Sequence, residues 1–90
     1  MIRFEWNQTK AAKNYRKHGV KFGEAVSVFY DENALVFFDT GNSGEEDRYL
    51  LLRLSESLRI LLVSFKELED GALIRIISAR KATRNEYLHY

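Results

Sequence analysis

The sequence predicts an α+β fold, a small antiparallel sheet with two helices before it and one after. Three observations predict it. A short alternating stretch, Arg3-Phe4-Glu5-Trp6, runs into two helix patterns. Four strand-like runs come next between residues 34 and 79, mostly joined by tight polar turns. The chain then closes on a helix start, Thr83 with Glu86 three residues later, which is the spacing of a capping box. Ninety residues leave room for one domain and no second core, so residues 1–90 are read as a single unit.

Phe4 and Trp6 share one face of the opening strand, and Asn7 is a suitable N-cap for the first helix. Residues 8–18 read as that helix, whose inward stripe is Ala11, Tyr15 and His18, with Lys10, Lys13, Arg16 and Lys17 elsewhere. Gly19 supplies the left-handed residue that ends it. Val20 to Phe22 re-enter the core, and a second short helix over about Gly23–Tyr30 packs Ala25, Val26 and Phe29. Asp31-Glu32-Asn33 is a turn, Ala34–Asp39 a mostly apolar strand, and Thr40-Gly41-Asn42-Ser43-Gly44 a loop. Strands over Arg48–Leu54 and Leu58–Lys66, joined by Ser55-Glu56-Ser57, form a hairpin. Glu67–Gly71 is an acidic turn and Ala72–Ala79 the last strand.

Composition narrows the function. Hydrophobic residues make up 46% and charged ones 30%, as in a globular domain. No cysteine is present, so there is neither a disulfide framework nor a thiolate metal site. No apolar run approaches the ~20 residues of a membrane span, and no secretory pattern opens the chain, so a cytoplasmic location is expected. The net charge of +1 hides a segregation. Residues 1–22 and 73–90 carry ten Lys/Arg against Glu5 and Glu86, whereas residues 23–72 carry four basic and eleven acidic side chains. Brought together, the two ends would make a basic face suited to nucleic acid, and the middle an acidic face suited to a basic partner.

Familiar phosphate-loop, dinucleotide, nucleophile-elbow and zinc-protease motifs are absent, and two histidines, His18 and His89, are too few for a typical histidine metal site. No cofactor is expected. What remains is arginine-rich: Arg48 opens a middle strand, Arg75 lies within the last one, and Arg80, Lys81 and Arg84 come after it. Such a set suits one reaction that needs no metal, cleavage of RNA by its own 2′-hydroxyl. That reaction needs a base, cations for the charge gathering on phosphorus, and an acid for the leaving oxygen. Arginine supplies the cation bidentately. Glu45, Glu46, Tyr87, Tyr90 and His18 are candidates for proton transfer. Each has a plainer reading: Glu86 as a helix cap, His18 as a helix-end residue, Glu45 and Glu46 as a solvated loop, Arg80 as half of an ion pair. Arg75, a charged side chain within a strand, requires a partner or a ligand.

Several spaced stretches resemble the BrnT family, the toxin half of a bacterial type II toxin–antitoxin pair with a RelE-like ribonuclease fold. They are Phe4-Glu5-Trp6, Lys10, Asn14, Lys17-His18-Gly19-Val20 and Phe22, then Glu24-Ala25 with Val28-Phe29. The closing Ile74-Arg75-Ile76-Ile77-Ser78-Ala79-Arg80, with Ala82, Glu86 and Tyr90, is the most specific. The resemblance implies an RNA endonuclease that works without metal and inhibits translation. It implies a BrnA-like ribbon-helix-helix antitoxin, a toxin homodimer within the complex, and contact with DNA only through the antitoxin. In this reading Arg80 and Arg48 contact the scissile phosphate, with Glu46 and Tyr90 for proton transfer; Lys17, His18, Arg75, Lys81 and Arg84 hold RNA backbone. The chain departs from many relatives in the 40–43 loop, where they carry a histidine and it carries none. A non-catalytic module that binds nucleic acid or antitoxin is the alternative.

Overall fold

Strand β1 (Arg3–Glu5) is followed by helices α1 (Gln8–His18) and α2 (Phe22–Val28). Strands β2 (Leu35–Phe38), β3 (Tyr49–Leu54), β4 (Ile60–Leu68) and β5 (Leu73–Lys81) come next, and helix α3 (Arg84–His89) closes the chain. The computed structural model describes residues 2–39 and 48–89. The strands form one sheet in the order β1-β5-β4-β3-β2. Neighbours are antiparallel except β1 and β5, which run parallel. The α+β class is as the sequence predicts; the parallel pair is an addition to it. No hairpin joins β1 to β5, so nothing in the chain path forces them to be antiparallel.

Helix α1 begins where Asn7 accepts a hydrogen bond from the Lys10 N–H at 3.0 Å, and it ends at Gly19 with φ 70°. Its inward residue is not Tyr15, which is 49% exposed, but Asn14, which is buried. The cause is a gap in the sheet. β1 pairs with β5 only along Leu73–Arg75, so the edge of β5 beyond that is unpaired by strands. The Asn14 side chain fills it, accepting from the Ala79 N–H at 3.1 Å and donating to the Ala79 carbonyl at 2.8 Å and the Val20 carbonyl at 3.1 Å. A buried carboxamide thus stands in for a strand residue and satisfies backbone groups that would be costly to leave bare.

Both α1 and α2 lie on one face of the sheet, where Val20, Phe22, Ala25 and Val28 meet Leu51, Val63 and their neighbours in a single apolar cluster. Burying a side chain of this size is worth about 1.5–3 kcal/mol, so this layer supplies most of the fold's driving force. Phe4, Phe29, Phe65 and Tyr49 extend it as a chain of ring contacts 4.9–5.6 Å apart.

Several sequence-based boundaries shift, among them the second helix, which spans Phe22–Val28 rather than about Gly23–Tyr30. β4 starts at Ile60 because Leu58 closes the preceding turn with φ 59°, its side chain 78% exposed. It runs on to Leu68 because Glu67 and Leu68 stay paired with Ile74 and Leu73, which confines the acidic turn to a 3-10 segment, Glu69–Gly71. β5 reaches Lys81, opposite Leu61. The 40–44 loop lies outside the described residues.

A register shift in β5 decides what the other face presents. Ser64 pairs with Ser78 but Phe65 with Ile76, which leaves Ile77 as an extra residue, a β-bulge. Strict alternation from buried Ile74 and Ile76 would turn Ser78 and Arg80 into the core. After the bulge Ala79 enters the core instead, fully buried, and Ser78 and Arg80 turn to the face that α1 and α2 leave uncovered.

Candidate active site

Across that second face, paired residues form rows. Leu35, Leu52, Leu62 and Arg80 are register partners in succession, and so are Phe37, Leu50, Ser64 and Ser78. Beyond them Lys66 pairs with Arg75, and the Asp39 N–H bonds to the Arg48 carbonyl at 2.9 Å. The face therefore grades from apolar at one end, where Leu52 is fully buried, to ionic at the other. At the boundary lies a cleft lined by Asp39, Arg48, Leu50, Leu62, Ser64, Ile77, Ser78, Arg80 and Glu86.

Glu86 enters the cleft from α3. The capping box predicted from Thr83 and Glu86 forms in both directions: the Glu86 N–H donates to Thr83 Oγ1 at 3.2 Å, and the Thr83 N–H to Glu86 Oε1 at 2.7 Å. The same carboxylate receives Arg80 Nη1 and Nη2, each at 2.7 Å. The paired guanidinium, with the Thr83 bonds adding to it, holds the Glu86 carboxyl well below the usual range, at about 2. A carboxylate so low is a poor proton acceptor near neutrality. The negative charge at the start of this six-residue helix is Glu86 itself.

Arg80 has a second acceptor in the Lys81 carbonyl, 3.3 Å from Nη1. Of its five N–H groups, the Nε–H and one on Nη2 meet no acceptor among the described residues. Arg48 lines the same cleft, and its guanidinium makes no hydrogen bond among the described residues. Two guanidiniums and two hydroxyl side chains, Ser64 and Ser78, thus converge on one open cleft. They can bind a phosphodiester and stabilise added negative charge on it.

The structure separates the other sequence-predicted residues. Arg75 shares the cleft's face one row further on, where it pairs with Glu5 at 3.3 Å; both side chains are about half exposed. The partner that a charged strand residue requires is therefore supplied. Lys81 pairs with core-facing Leu61, on the helix side of the sheet. Lys17 and His18 belong to α1 and lie on that side too, away from Arg48. Arg84 opens α3 and is exposed. Glu45, Glu46 and Tyr90 lie outside the described residues. Sequence reasoning missed Asp39, Ser64 and Ser78. The signal that could have found the serines is Ile76-Ile77-Ser78-Ala79, where two adjacent isoleucines and a displaced small residue break the alternation.

Away from the cleft, the described residues hold no group of three or more His, Asp or Glu placed to share a metal ion, and no helix among them is long and apolar enough to cross a membrane.

The sequence profile of a family described as the ribonuclease toxin BrnT of type II toxin–antitoxin systems matches residues 6–86. A crystal structure of the ribonuclease toxin BrnT from Brucella abortus superposes with a TM-score of 0.70 at 23% identity, over 93% of this chain and 100% of that one. At that identity the likeness speaks for the fold. No curated protein sequence matches.

Proposed function

Since the chain belongs to the family of BrnT ribonuclease toxins of type II toxin–antitoxin systems, we propose that the cleft between Arg48 and Arg80 is where it cuts RNA. Membership makes the chain a ribonuclease toxin, with RNA as its target and an antitoxin as its partner. The observation that carries the site is the convergence of Arg48 and Arg80 on one cleft, brought about by the β5 bulge.

In the proposed reaction the ribose 2′-oxygen attacks phosphorus in line as its proton passes to a base. The bond to the 5′-oxygen breaks, and that oxygen takes up a proton. The products are a 2′,3′-cyclic phosphate and a 5′-hydroxyl. Charge gathers on the non-bridging oxygens as the new bond forms. The Arg80 guanidinium, held by Glu86, opposes it together with Arg48 from the same cleft, the role a metal would otherwise fill. Glu46 and Tyr90 are proposed for the proton transfers. Arg75 and Arg84 would hold the strand as it leaves the cleft. Lys17, His18 and Lys81, on the helix side, would be reached only by RNA that wraps the β5 edge.

The finer reading extends to the cell. Residues 1–90 act as one cytoplasmic toxin domain, an endonuclease that inhibits translation. A BrnA-like ribbon-helix-helix antitoxin neutralises it, in a complex that contains a toxin homodimer and meets DNA through the antitoxin. The basic C-terminal segment, which supplies Arg75, Arg80 and Arg84, suits RNA, and the acidic side chains of the chain's middle suit a protein partner. The test is to induce the chain in a bacterial host alone and beside its genomic neighbour, and to incubate purified protein with RNA in EDTA. Arrest relieved by the neighbour, with RNA cut under chelation, is expected. RNA that is cut only when a divalent ion is restored would overturn the metal-free mechanism. Intact RNA from folded protein under both conditions would favour a binding module.

A further inference from the structure

Glu86 has more bonds than a helix cap needs. Capping is complete with the Thr83 N–H on Oε1 and the Thr83 hydroxyl on the Glu86 N–H. Yet Oε1 and Oε2 also take Nη1 and Nη2 of Arg80, at equal distances of 2.7 Å. A guanidinium is planar and has two edges at which a pair of parallel N–H groups can meet two oxygens: one made by Nη1 and Nη2, the other by Nε and Nη2. The Glu86 carboxylate occupies the first. With one edge pinned to a helix that is itself capped, the plane and direction of the second are fixed.

We infer that Glu86 is a positioning residue. It holds Arg80 by its Nη1/Nη2 edge so that the Nε/Nη2 edge is the one presented to the scissile phosphate in the cleft beside Arg48. The inference rests on the cleft being the cleavage site. It differs from two other roles for the same carboxylate. A general base would have to be free to take the 2′-hydroxyl proton, whereas three donors already engage this one. A blocking group would compete with phosphate for Arg80, whereas the second edge remains for phosphate while the first is held.

The three roles predict different kinetics for Glu86→Ala. Losing a positioning residue leaves Arg80 charged but free to rotate. A phosphate then binds as well as before, or better for the loss of a neighbouring negative charge, while alignment in the transition state suffers. The expected result is kcat lower by roughly 10–100-fold with KM unchanged or reduced, and partial recovery of kcat in Glu86→Gln, whose amide oxygen can still accept from the guanidinium. The acid limb of the pH–rate profile should stay where it is in both variants. A blocking role would instead raise the rate, and a base role would remove that limb.

Capping is separated by Thr83→Val, which removes the hydroxyl acceptor and keeps the Arg80 pair. It should lower the melting temperature and leave kcat alone. A direct reading comes from the Arg80 Nε–H resonance during titration with an RNA oligonucleotide carrying a 2′-deoxy residue at the cleaved position. That signal should shift on binding in the native chain and lose its sharpness in Glu86→Ala. Arg80→Ala is run alongside. If Arg80→Ala is inactive but Glu86→Ala keeps native kcat and an unaltered Nε–H response, positioning by Glu86 is overturned and the site stands. If Arg80→Ala cuts as fast as the native chain, the site falls and this inference with it.

Discussion

Two glutamate–arginine pairs tie this molecule together, and they differ in what each arginine has left to offer. In the first, Glu24 of α2 takes Nε of Arg59 at 2.9 Å, a second bond from Arg59 Nη2, and the Ser55 hydroxyl at 2.6 Å. Arg59 Nη2 continues to the Gly19 carbonyl at 3.2 Å, and Ser27 accepts the Glu56 N–H at 2.9 Å. The β3–β4 turn is thereby fastened to α2 and to the end of α1. In the second pair Glu86 holds Arg80 by one edge, at the rim of an open cleft. The side chains of Glu24 and Arg59 are 10% and 29% exposed, those of Glu86 and Arg80 24% and 37%. The same chemistry serves different ends. Arg59 is committed to backbone and carboxylate acceptors within the fold, while Arg80 keeps one edge open beside Arg48.

Substitution of the two arginines should therefore separate function from stability. The largest effect is expected at Arg80→Ala, a fall of ~10²–10³ in RNA cleavage, or about 3–4 kcal/mol in the barrier, with relief of growth arrest at equal expression. Its melting temperature should drop only modestly, because the pair it breaks is partly open to water. A purified Arg80→Ala chain that cuts RNA at the native rate would erase the contrast from the functional side.

Next in size is Arg59→Ala. It strands a carboxylate that is mostly buried, which costs about 2–3 kcal/mol, less than the roughly 3–5 kcal/mol of a fully interior pair because Arg59 itself is partly exposed. For a domain of this size that is a fall of roughly 8–24 °C in melting temperature. Cleavage per folded molecule, measured well below the transition, should stay near native. A stable but inactive Arg59→Ala would mean that the β3–β4 turn reaches the cleft in some way the contacts do not show.

The sequence disclosed the two pairs unequally. The helix over 8–18, its Asn7 and Gly19 caps, the capping box and the order of elements arise from local rules, and each is present. Arg80 and Arg48 stood out because arginines bordering strands are conspicuous. Their meeting on one face was not legible, since it depends on the Ile77 bulge reversing which way Arg80 points. Asn14 was hidden for a related reason: a helix pattern favours Tyr15 as the inward residue, and only the unpaired β5 edge selects a carboxamide. The Glu24–Arg59 pair spans 35 residues of sequence, and no periodicity links its partners. Spacing revealed what the backbone does locally; which side chains end up together depended on register.

The least change is expected in how stability depends on pH. Both carboxylates are held below their ordinary value of 4.5, Glu24 chiefly by its bond from Arg59 and Glu86 chiefly by its bonds from Arg80, the latter to about 2. A carboxyl group whose folded value is depressed adds stability that is complete above the unfolded value and is lost as pH falls through the folded one. Glu86 should therefore contribute fully near neutrality and lose its contribution between about pH 4.5 and 2. Solvent at the cleft rim screens the pair and limits that contribution to about 1 kcal/mol, or roughly 4–8 °C in melting temperature. The difference in melting temperature between the native chain and Glu86→Gln should then be greatest at about pH 6–7 and close towards pH 2. Ser55 and the Gly19 carbonyl support the inner pair with contacts that do not depend on charge alone. Glu24→Gln should accordingly keep part of its deficit at the lowest pH, provided the fold survives there. A Glu86→Gln deficit that stays constant across the titration would show that the cleft pair stabilises by packing and neutral hydrogen bonds, and the distinction between a screened rim pair and an interior clamp would have to be given up.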